Sequence, residues 1–191
     1  MSTSTPFDTG ALPVADADEL AGVVDLFGAL TSTQVVAALV ELAYRQRGSV
    51  DEAAVQAAAD RAVGWAVERY YLVEYASSDA TARADDGDGS GDVDPLLTVG
   101  PVAFPTLPEA AEDLPHILDV ETRSVSRESL ARAVETRLRG DAARAVVAED
   151  EARIQHLFDV TYDLEAWAPV DVSEVRERLE DALASAGDSS P

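Results

Sequence analysis

The chain has 191 residues, of which 37 are Asp or Glu and 14 are Arg, with no Lys and no Cys, giving a formal net charge of −23. Zero Cys excludes a thiolate nucleophile and any Cys-ligated zinc or iron–sulfur site. A hydrophobic fraction of 47% is too high for an acidic disordered chain, and no apolar run approaches the roughly 20 residues that span a bilayer.

Charge is spread evenly. Residues 1–100 carry 17 acids and 5 Arg, and residues 101–191 carry 20 acids and 9 Arg. So large a net charge repels itself and opposes the compact state. At about 1 M salt the Debye length falls to about 3 Å and most of that repulsion disappears. Missing Lys fits the same setting, because Lys adds a long apolar stem to the surface for one charge. The composition reads as a protein built for concentrated salt. No basic residue precedes Arg45, so no signal-peptide n-region is present and the expected location is the cytoplasm. No membrane partner is expected.

Residues 1–17 are polar and read as a disordered tail. The first helix is expected over Asp18–Ala29, with Leu20, Val23, Val24, Phe27 and Leu30 at helical spacing. Thr31-Ser32-Thr33-Gln34 is a capping box that opens a second helix. That helix ends at Arg47-Gly48, where Gly48 suits a left-handed C′ position. Ser49-Val50-Asp51-Glu52 reads as another box, opening a third helix that buries Val55, Ala59, Ala62, Val63 and Ala66. Tyr70–Tyr75 is aromatic and β-branched, a strand pattern. Residues 76–94 hold six Asp and one Arg among Gly, Ser and Ala and read as a flexible acidic loop. Pro95–Gly100 reads as the returning strand.

Helix, helix, helix, strand, loop and strand is the order of a winged helix-turn-helix domain. The third helix running into a Tyr-Leu-Val strand, and the closing Leu97-Thr98-Val99-Gly100, resemble that family over residues 18–103. The remaining chain, 104–186, is expected to be a helical C-terminal domain, followed by a disordered end at 187–191. Thr106-Leu107-Pro108-Glu109 reads as a box opening a short helix that stops before Pro115. Ser126 begins a longer helix with Leu130, Val134 and Leu138 inward, which Gly140 kinks or ends. A further helix is expected over Asp150–Tyr162. Asp171-Val172-Ser173-Glu174 caps the last one. The fold class is therefore mainly α: a winged-helix-like domain of three helices and a β-hairpin, then an α-helical domain. Over most of its length the chain also resembles a family of uncharacterised haloarchaeal proteins, through Phe104–Val120 and Asp159–Val172. That likeness implies a shared setting and no particular chemistry.

Three constellations bear on function. The only two His residues recur in one pattern, His116-x-x-Asp119 and His156-x-x-Asp159. Positions i and i+3 share a helix face, so each His can meet its Asp. Such groups suit a nitrogen–oxygen metal site or an Asp-oriented general base. The same pattern also ends or caps packed segments, and the structural reading is preferred. The second is Arg123–Arg144, with six Arg and three acids. It is either a phosphate- or partner-facing helix or a solvated ladder of i,i+4 pairs: Glu128 with Arg132, Glu135 with Arg139, Arg137 with Asp141. The third is the outer face of the third helix, with Asp51, Glu52, Gln56, Asp60 and Arg61. Gln and Arg read adenine and guanine edges, but two acids at the helix start and a wing of net −5 offer phosphates little. Trp65, Trp167, Tyr70, Tyr71 and Tyr75 are assigned to packing. No Ser–His–Asp arrangement or phosphate-binding Gly loop is present, so no catalytic, cofactor-binding or metal-binding residue is assigned. The resulting expectation is a non-enzymatic binding or regulatory protein with a protein partner. A DNA-binding regulator is the alternative and a metal-dependent enzyme using the two His-x-x-Asp pairs is third.

Overall fold

A computed structural model describes residues 5–75 and 95–187. The chain divides into two compact units, Met1–Val125 and Ser126–Pro191. The described residues form seven α-helices and one three-stranded antiparallel sheet, which is the expected mainly α class. The acidic loop 76–94 and most of the C-terminal end expected to be disordered lie outside the described residues.

In the first unit, α1 spans Ala17–Asp25. Asp16 caps it by accepting from Glu19 N at 2.9 Å. The helix stops four residues short of the expected Ala29, because Leu30–Thr31 is drawn off as a short strand, β1. α2 spans Ser32–Arg47 and opens with the expected capping box. Gln34 N–H donates to Thr31 Oγ1 at 3.2 Å, and Thr31 N–H donates back to Gln34 Oε1 at 3.0 Å. Gly48 takes the left-handed C-cap at φ 73°. α3 spans Glu52–Glu68, but its cap is Asp51, not Ser49. Both caps are strong hydrogen-bond acceptors; Asp adds a negative charge at the positive end of the helix. Strands β2, Leu72–Tyr75, and β3, Leu96–Val99, pair with Leu72 opposite Val99 and Tyr75 opposite Leu96. β1 joins on the other side of β3, giving the order β1-β3-β2. Leu20, Val24, Phe27, Leu39, Leu42 and Leu72 are fully buried between the helices and the sheet.

Two sequence expectations change here. Part of the expected tail is packed: Phe7, Leu12 and Val14 join the core. Arg47 donates to Ala11 O at 3.1 Å, and Gln46 Nε2 donates to Pro13 O at 3.0 Å. A composition rich in small and polar residues hides these few anchors. The second concerns the boundary expected after residue 103. The chain from 104 to 125 belongs to the first unit, held by Arg123. Its N–H donates to Phe27 O at 2.8 Å and its guanidinium to Ala29 O at 3.0 Å and Gln34 Oε1 at 2.9 Å.

The expected helix from Thr106 does not form either. Thr106 N–H is taken by Asp18 O at 3.1 Å instead, so the segment lies extended across α1. Gly22 permits the contact, since a Cβ there would sit 1.9 Å from Thr106 O. The short helix α4 is Leu114–Ile117 and contains Pro115 in its first turn, where a missing N–H costs nothing.

In the second unit, α5 spans Arg127–Val147, α6 Glu151–Trp167 and α7 Ser173–Gly187. The first two start where the sequence places them, with Ser126 and Asp150 at their caps; α6 runs five residues past the expected Tyr162, and Asp171, expected to cap α7, accepts instead from the N–H of Ser173, the first residue of that helix. α5 runs unbroken past Gly140, so that residue does not end it. Leu130, Val134, Leu138, Ile154, Leu157, Leu164, Val172 and Leu179 form the core. None of the helices among the described residues is long and apolar enough to cross a membrane.

Candidate functional site

α3 buries Val55, Ala58, Ala59, Ala62, Val63 and Ala66 against the first unit. The opposite face, with Ala53, Gln56, Ala57, Asp60, Arg61, Gly64 and Glu68, is open to solvent. Helical spacing therefore places Gln56, Asp60 and Arg61 together, as the sequence implies. The start of the helix is already occupied electrostatically. Asp51 Oδ1 accepts from Ala54 N at 3.1 Å, using an amide that an incoming phosphate would otherwise take. Glu52 accepts from the Tyr44 hydroxyl at 2.8 Å. That bond, then the charge of Glu52, pushes the Tyr44 phenol above its ordinary range. The outer face thus presents Arg61 among Asp51, Glu52, Asp60 and Glu68.

The far end of α3 is fixed by aromatic packing. Trp65 stacks on Tyr71 with ring centres 5.6 Å apart, meets Phe7 edge-on at 5.8 Å, and carries the Arg69 guanidinium 4.9 Å from its centre. Tyr70 is fully buried. These aromatics hold that end of the helix in place.

The His-x-x-Asp pairs fall in separate units. His116 and Asp119 are exposed in the first; His156 is half-buried on α6 and Asp159 is exposed. The Asp159 carboxylate accepts from Gln155 Nε2 at 3.2 Å. No group of three or more metal-ligating side chains occurs among the described residues.

The Arg-rich stretch is divided as well. Arg123 serves the first unit, and Arg127 lies 5.5 Å over the Trp167 ring in the second. All three i,i+4 pairs form, Arg132 with Glu128, Arg139 with Glu135 at 3.0 Å, and Arg137 with Asp141 at 3.7 Å. Arg139 also reaches Glu174 at 3.2 Å, and these bonds hold its proton more firmly than usual. Sequence reasoning missed that Asp141 is buried and also receives Arg144 and, from α6, Arg153 at 3.2 Å. The signal was present: Asp141 sits on the inward spacing of Leu138, Ala142 and Ala145. A second missed cluster joins Arg176 to Thr161 Oγ1 at 2.9 Å, to Glu165, and to the Tyr162 ring at 4.3 Å.

A family model covers residues 18–184, and the chain belongs to that family, a family of unknown function designated DUF7109. No curated protein and no solved structure matches the chain.

Proposed function

We propose that this chain is a non-enzymatic binding or regulatory protein of a salt-rich cytoplasm, and that the outer face of α3 meets a protein partner. The observation that carries this reading is the charge of that face: one Arg among four carboxylates, with its N-terminal amide taken by Asp51. Affinity for nucleic acid rests mainly on phosphate contacts, and this surface has little to offer them. The scaffold supports a winged-helix likeness. α2 and α3 are joined by the short turn 48–51, α3 leads directly into β2, and β3 returns between β2 and β1.

Gln56 and Arg61 favour the second reading, a DNA-binding regulator, because both side chain types read base edges and both stand exposed. A photo-crosslinking residue at Gln56, illuminated in native extract at about 1 M KCl, separates the two. The expected adduct is a discrete protein band. A nucleic-acid adduct would transfer the assignment to the DNA reading. Adducts from control surface positions but none from Gln56 would remove α3 from the interface.

A further inference from the structure

We draw no further inference here: the strongest candidate, the exposed apolar patch of Phe104 and Leu107 on the extended segment that crosses α1 in the first unit, carries nothing because nothing in the structure shows what covers it.

Discussion

The long polar side chains that tie the first unit together bond mainly to backbone carbonyls, Arg45 with Asp113 and Tyr44 with Glu52 excepted, whereas the arginines of the second bond mainly to carboxylates. Arg47, Gln46 and Arg123 donate to the carbonyls of Ala11, Leu12, Pro13, Ala29 and Glu109. Arg137, Arg144 and Arg153 converge on Asp141, and Arg176 on Glu165. The cause is regularity. The first unit carries three irregular stretches, 10–16, 103–113 and 118–125, whose carbonyls lack regular helix or sheet partners and need other donors when buried. A three-helix unit satisfies its carbonyls internally, and its arginines are left to cross between helices. The charges differ accordingly: net −16 with six Arg in residues 1–125, net −7 with eight Arg in residues 126–191.

Salt should separate the two units most widely. Lowering KCl from about 1 M to about 0.1 M lengthens the Debye length from about 3 Å to about 10 Å. Self-repulsion rises in the first unit, while the second gains strength in its ion pairs. Each unit holds one Trp, Trp65 and Trp167, so single-Trp variants report them separately. The Trp65 transition should fall by more than about 10 °C, which corresponds to a few kcal/mol, and the Trp167 transition by less. Equal shifts, or the reverse order, would break the comparison.

Next in size is Asp141→Asn. The Asp141 side chain is only 10% exposed, and replacing one member of a buried charge cluster leaves its partners uncompensated. The expected loss is about 2–4 kcal/mol, below the usual figure for a fully buried pair because Arg144 is mostly in solvent. Chemical denaturation followed at Trp167 should show it, with no change at Trp65. Arg123→Ala is the counterpart in the first unit. It leaves Ala29 O and Gln34 Oε1 without this donor and should cost about 1.5–3 kcal/mol, read at Trp65.

Local signals were the legible ones. The Thr31–Gln34 box, Gly48, Ser126 and Asp150 mark helix ends because a cap depends on residues three or four apart. All three predicted Glu–Arg and Arg–Asp pairs form for the same reason. Contacts across long separations were not legible. Thr106 looks like a cap until Asp18, 88 residues earlier, takes its N–H. Phe7 looks like part of a loose end until Trp65 receives it. Of the candidate site, the outer face of α3 could be read from periodicity. The cluster around Asp141 could be read only in part, since Arg137 lies one turn away while Arg153 reaches it from another helix.

The smallest expected effect concerns the start of α7 and carries a definite sign. Asp171 accepts from the Ser173 hydroxyl at 2.6 Å and from Ser173 N–H at 3.0 Å. The hydroxyl bond first, then the backbone bond, holds the Asp171 carboxyl below its ordinary value. A carboxyl depressed in the folded state contributes stability that is present above its unfolded value and lost as pH falls through the folded one. Asp163 acts in the opposite sense. Burial, and then the charge of Asp159, raises its carboxyl, so ionising it costs stability at neutral pH and acidification relieves that cost. In an Asp163→Asn background the Trp167 transition should therefore decline as pH drops below about 4, the ordinary carboxylate range. Adding Asp171→Asn keeps an acceptor at the same place but removes the titration, and the decline should flatten. A slope unchanged by Asp171→Asn would mean that this pair of hydrogen bonds does not distinguish the folded from the unfolded chain.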